Sequence, residues 1–147
     1  SDGYKRQGFR QIRIDNGHGG NNPVAALAEE LMGNYADTSI KFHNWWNAPK
    51  TWAKIQETDS SGSHANWMEN FPWTRLAHAP APEGKKQIVD MDLLKASPPA
   101  LVRKLLGDGS FGGPWQRPDA EMQAIWEMGV VETRAAIEGP WADFENG

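Results

Sequence analysis

Two histidines stand in settings that could support chemistry. His18 lies in Asp15-Asn16-Gly17-His18-Gly19-Gly20-Asn21-Asn22, between the alternating segment Gln11-Ile12-Arg13-Ile14-Asp15 and the apolar run Val24 to Met32, which Pro23 opens. Glycines at 17, 19 and 20 allow a sharp turn that leaves the imidazole at the carboxyl end of a strand. Ligands and metals collect at that end of an open α/β sheet. Such an imidazole is either a ligand for zinc or manganese or a cap on the following helix, and the residues alone do not choose. The second histidine, His64, is followed five positions later by Glu69. An imidazole changes charge near neutral pH and suits proton transfer, while a carboxylate binds a metal or orients a water. After Ser60-Ser61-Gly62-Ser63, His64 reads equally as an exposed loop residue, and Glu69 as a helix-terminal charge. His43, in the strand before Trp45-Trp46, reads as a histidine packed against aromatics or as a pocket residue, and His78 as a solvated loop residue.

These side chains need elements to position them. Residues 9–15 read as a strand and 22–33 as a helix capped by Asn21 or Asn22, with Pro23 at its first position and Gly33-Asn34 at its end. Residues 38–46 supply the next strand after a connection short enough for a parallel neighbour. Residues 1–8 read as the tail of a helix. From Asn47 to Gly62 the periodicity degrades into a loop suited to a lid or pocket rim, with Ser60 to Ser63 a flexible approach to His64. His64 to Leu76 reads as a short helix that Pro72 starts or ends. Ala77 to Lys86 reads as loop, Gln87 to Met91 as a short strand, and Asp92 to Leu106 as a weak helix broken at Pro98-Pro99. Pro118 opens the clearest helix, with Met122, Ile125, Trp126, Gly129, Thr133, Ala136 and Ile137 on one face and Gly139-Pro140 at its stop. Asp15, Asn16 and Asn21 are placed to brace the His18 turn.

Composition narrows the function classes. The 147 residues carry a formal net charge of −4 with no basic stripe, which gives no reason to expect nucleic acid or an anionic membrane as partner. No apolar run has the ~20 residues of a membrane helix, and the start has no apolar signal core. The absence of cysteine is compatible with a cytoplasmic protein and leaves only nitrogen and oxygen to hold a metal. Eight tryptophans are an excess. They read as core and interface packing, or, for Trp45, Trp46 and Trp67 near the candidate site, as the flat walls of a pocket.

The Asn-Gly-His-Gly-Gly-Asn turn after an apolar strand resembles the signature of the creatininase family of metal-dependent amidohydrolases. His64-Ala65-Asn66-Trp67-Met68-Glu69 is similar to the family's second block, and Phe111-Gly112-Gly113-Pro114 with Ala120-Glu121 and a long helix to its closing segment. The resemblance covers roughly residues 8 to 138. It implies an α/β fold, a three-layer α/β/α sandwich on a mostly parallel sheet, of which residues 1–147 form the second half of a single domain. An amino-terminal polypeptide of the same enzyme would then supply further metal ligands. It also implies one or two divalent ions, zinc, manganese or iron, held by His18 and Glu69, and a homo-oligomer such as a hexamer. His64 would give a proton to the leaving nitrogen with Glu69 beside it, and Trp45, Trp46, Trp67, Gly19 and Gly20 would line the substrate. Gly20 departs from the family's namesake enzyme, which has a metal-binding glutamate there; Glu69 is the natural substitute. Asn66-Trp67 replaces the more usual Gly-Glu, which changes the surroundings of the substrate. The implied reaction is hydrolysis of a small cyclic amide or related ring carbonyl. Cleavage of a carbon–carbon bond in a cyclic polyol ketone is an alternative, and a non-catalytic subunit that kept the fold is another.

Overall fold

The alternating segment becomes a strand, and its partner is parallel, as the short connection requires. In the computed structural model, which describes residues 2–80 and 82–142, helix α1 (Asp2–Arg6) precedes strand β1 (Gln11–Asn16), helix α2 (Pro23–Asn34) and strand β2 (Ser39–Asn44). β1 and β2 run from the pair Gln11 and Ser39 to the pair Asn16 and Asn44. A parallel pair needs a crossover, and α2 supplies it. Pro23 opens α2 because its fixed φ suits a first turn and its missing N–H would be unsatisfied there anyway.

Asn47 to Gly62 is not the irregular lid that its pattern predicts. Helix α3 (Pro49–Thr58) occupies most of it. Thr51 and Ile55, one turn apart, are both fully buried, and Pro49 presets the first turn. Glu132, distant in sequence, closes the helix start. Its Oε1 accepts from Lys50 N–H at 2.9 Å, and its Oε2 accepts from Thr51 N–H at 2.6 Å and Thr51 Oγ1 at 2.7 Å. A cap supplied from so far along the chain leaves no local sequence signal.

The remaining elements are strand β3 (Lys85–Lys86), helices α4 (Met91–Lys95) and α5 (Pro99–Leu106), strand β4 (Gly113–Pro114) and helix α6 (Asp119–Glu138). β3 and β4 pair antiparallel, so the short ladder lies just before the segment predicted as a strand, Gln87 to Met91. Pro98 does divide two helices, and Asp90 caps the first by accepting from the Asp92 and Leu93 N–H groups. His64 to Leu76 forms two 3₁₀ turns, Trp67–Glu69 and Pro72–Thr74, rather than one helix. On α6, Met122, Ile125 and Gly129 are buried while Trp126 and Ile137 are exposed, a narrower stripe than the spacing predicts.

The chain forms two compact units, one from residues 1–52 with 128–147 and one from 53–127. The first buries Ala28, Ile40, Ala48 and Thr51; the second buries Ile55, Trp67, Met68, Phe71, Leu94, Met122 and Ile125. Helices combined with a parallel strand pair make an α/β protein. No helix of the described residues is long and apolar enough to cross a membrane.

Candidate active site

In the first unit, Asn16 and Asn44 at the carboxyl ends of the parallel strands, with Asn21 and Asn22 that follow His18, hold the turn that carries it. The buried Asn16 donates through Nδ2 to His18 O at 2.9 Å and to Asn44 Oδ1 at 2.7 Å. Its Oδ1 accepts from His18 N–H and from Asn21 Nδ2, both at 3.1 Å. Asn44 in turn donates to Asn22 Oδ1 at 3.2 Å. Asn16 and Asn21 therefore do brace the turn. Asp15 does not: its carboxylate takes the Arg13 guanidinium, with Arg13 Nε at 2.7 Å. Asn44 and Asn22 are the bracing residues that the sequence reading missed. Asn44 was detectable only through strand register, which sets it opposite Asn16.

The His18 side chain itself is exposed and caps the 3₁₀ turn Gly19–Asn21, its Nδ1 accepting from Gly20 N–H at 3.0 Å. Gly20 suits this cap, since a Cβ there would sit 3.0 Å from Nδ1 and 3.1 Å from Cε1. Trp45 and Trp46 are half-buried. A Cβ on Gly129 would lie 3.4 Å from the Trp45 ring, so Trp45 packs against α6 there. A cleft of about 540 Å³ lies at the end of β2, lined by His43, Asn44, Lys50, Val131 and Glu132 among others. Burial, and Arg13 nearby, push His43 below its ordinary pKa and favour the neutral ring.

In the second unit the structure brings His64 and Glu69 together. His64 Nδ1 lies 3.3 Å from Glu69 Oε1, and the side chains are 41% and 53% exposed. The same Oε1 accepts from Ala65 N–H at 3.0 Å. Ala65 has φ +53°, a left-handed conformation that costs free energy in a residue with a Cβ and persists only when its surroundings impose it. The imposing contacts are present. His64 O accepts from Phe111 N–H at 3.1 Å, the His64 ring meets Phe111 edge-on at 5.0 Å, and Asn66 is buried directly beyond Ala65. Asn66 Nδ2 donates to Ser61 O at 2.7 Å, Ser63 Oγ at 3.0 Å and Gly112 O at 2.8 Å. Its Oδ1 accepts from Ser63 N–H and Met68 N–H, both at 3.1 Å.

Two expectations for this loop need correction. Trp67 is 0% exposed and is core rather than a pocket wall. The approach to His64 is not a loose tether either, because a Cβ on the buried Gly62 would fall 2.7 Å from Ile55 Cγ2 and 2.9 Å from Trp67 Cζ2. The aromatic beside Glu69 is instead Trp115, in a cleft of about 330 Å³ also lined by Asn66, Asn70, Arg75 and Leu76. Asn70 holds the Arg75 guanidinium, its Oδ1 accepting from Nε and its backbone O from Nη2, both at 3.1 Å. Sequence reasoning missed Asn70, Arg75 and Trp115 because none stands in a motif.

The sequence model of the creatininase family, described as creatinine amidohydrolase, matches residues 1–137 of the 147. The chain belongs to the creatininase family. No curated protein and no solved structure matches it. Creatininases are hydrolases of the amidohydrolase type and generally metal-dependent. A catalytic zinc takes three protein ligands and keeps a position open. His18 is an imidazole donor of the right chemistry for one of the three. Among the described residues, however, no group of three His, Cys, Asp or Glu side chains is placed to hold an ion, so these residues fit one ligand position and do not complete a creatininase metal site.

Proposed function

We propose that this chain is part of a metal-dependent creatininase-type hydrolase that opens a small cyclic amide, with His64 as proton donor to the departing nitrogen. The observation that carries the reading is the His64–Glu69 pair, set on a loop whose strained Ala65 and buried Asn66 hold it in place. A carboxylate beside Nδ1 orients the ring. That leaves proton exchange with the substrate to Nε2. His64 gives an Nε2 proton to the amide nitrogen as the carbon–nitrogen bond breaks, and the Glu69 carboxylate holds the ring in position for that transfer.

When bound, the divalent ion supplies polarisation of the carbonyl and a water acidic enough to ionise near neutrality. We assign His18 to hold it. An amino-terminal polypeptide of the same enzyme contributes the other donors and completes a three-layer α/β/α sandwich in a homo-oligomer. The cleft beside Glu69 is within the size range of small-molecule sites. Trp115 gives it a flat wall, and Arg75, held by Asn70 and paired with Asp119, gives it a cation.

The test is hydrolysis of lactams and cyclic ureides by the intact protein, followed by proton NMR. His64→Gln should lower kcat by about 10²- to 10⁴-fold with KM little changed. Full turnover in that variant overturns the assignment.

A further inference from the structure

The cleft beside Glu69 is lined by one cation, Arg75, whose position is set before anything binds. A guanidinium has five N–H groups. Arg75 Nε donates to Asn70 Oδ1 and Nη2 to Asn70 O, both at 3.1 Å, and Nη2 lies 2.8 Å from Asp119 Oδ1. Those contacts occupy the single N–H of Nε and both of Nη2, so the planar group is clamped along one edge. The two N–H groups of Nη1 remain, and among the described residues nothing takes them. Asn70 is itself anchored, its Nδ2 donating to Trp115 O at 3.2 Å. One amide therefore ties the cation of the cleft to its flat wall. An arginine ordinarily loses rotamer freedom when it grips a ligand; here Asn70 and Asp119 have already removed it.

We propose that Arg75 selects cyclic amides that carry a carboxylate on the ring, an acid oxygen accepting from Nη1 while the ring lies against Trp115. The inference rests on the reading of this cleft as the substrate site. A carboxylate oxygen at Nη1 forms a hydrogen bond in which both partners are charged, roughly twice as strong as one between neutral groups. A ring with only neutral carbonyls forgoes part of that gain. Asp119 offsets some of the cation's charge. Its side chain is 64% exposed and that of Arg75 33%, however, so water and salt weaken the offset. Glu69, the other charged residue of the lining, can only accept when ionised, and it repels an acid group from its own side of the cleft. The acid is thereby directed to Arg75, and the ring's N–H edge is left for Glu69 and His64.

The experiment is isothermal titration calorimetry of the intact protein with hydantoin-5-acetate and with its neutral isostere hydantoin-5-acetamide, beside hydrolysis of both followed by proton NMR. The acid should bind about three- to ten-fold more tightly than the amide, and added salt should shrink the preference. Arg75→Gln should abolish it. Asp119→Asn, which removes the competing carboxylate and leaves the residues of the cleft in place, should enlarge it by about two- to five-fold, a gain that a merely structural Arg75 would not give. Equal binding of the two ligands by the wild type, or a preference that survives in Arg75→Gln, overturns the selection by Arg75 and leaves hydrolysis of neutral rings standing. Preferred binding of the acid with turnover of neither ligand overturns the hydrolase reading and leaves the selection standing. Binding of neither overturns the cleft as the substrate site, and the selection with it.

Discussion

Replacing Asn66 with alanine should unfold the second unit far more easily than a one-residue loop change ordinarily would. The amide makes five hydrogen-bond contacts, three acceptors sharing the two Nδ2 hydrogens, and two of the contacts, to Gly112 O at 2.8 Å and from Met68 N–H at 3.1 Å, are wholly buried. Each buried group left without a partner costs about 1–3 kcal/mol, so those two alone cost about 2–6 kcal/mol. The bonds to Ser61 and Ser63 are part-buried and regain water, adding less. At roughly 4 °C per kcal/mol for a chain of this size, Tm should fall by about 8–24 °C, measured by circular dichroism. Asn66→Asp should do no better, because it loses all three donor contacts and sets a carboxylate against two carbonyls. A fall of less than about 4 °C in Asn66→Ala would refute the reasoning that this amide, rather than apolar packing, holds the loop carrying His64.

Three further outcomes follow from the same geometry. Glu69→Gln should lower kcat by roughly 10- to 100-fold, less than His64→Gln, and a loss equal to that of His64→Gln would instead give Glu69 an independent chemical role. Trp67→Ala should cost about 3–5 kcal/mol in urea unfolding, because the ring is core; a variant of normal stability with a raised KM would return Trp67 to the substrate. Glu132→Gln should cost about 1–2 kcal/mol at pH 7 through the weakened cap on α3. Burial raises the Glu132 pKa, but the hydrogen bonds from Lys50 and Thr51 outweigh it, and the net value lies below the ordinary 4.5. The wild type therefore has this stabilisation in full above about pH 4.5 and loses it as pH falls through the lower folded value. The gap between wild type and variant should close in acid, and a gap constant from pH 7 to pH 3 would contradict the assignment.

What the sequence shows and what it hides divides along physical lines. β1, α2 and β2 were legible because alternation, a proline at the first helical position and a short connection are local signals. α3 was not, because its helix start is closed by Glu132 and its buried face holds only Thr51 and Ile55. The His18 turn was legible as a site, with both candidate roles, but the chain alone could not show that the cap forms. The pairing of His64 with Glu69 was implied by spacing and by resemblance, whereas the strained Ala65 and the Asn66 network depend on contacts with Phe111 and Gly112 far along the chain. Tryptophan content misled at Trp67: the same large apolar ring suits a core and a pocket wall, and only burial distinguishes them. Trp115 and Arg75 reach the cleft through folding, with no motif to mark them.

The most direct test of the account is the metal content of the intact purified protein, wild type against His18→Ala, by inductively coupled plasma mass spectrometry after dialysis. The account predicts stoichiometric zinc, manganese or iron in the wild type and its loss in the variant, with the fold unchanged by circular dichroism. A wild type without bound metal, or a variant that retains it in full, would contradict the claim that His18 serves a metal-dependent hydrolase.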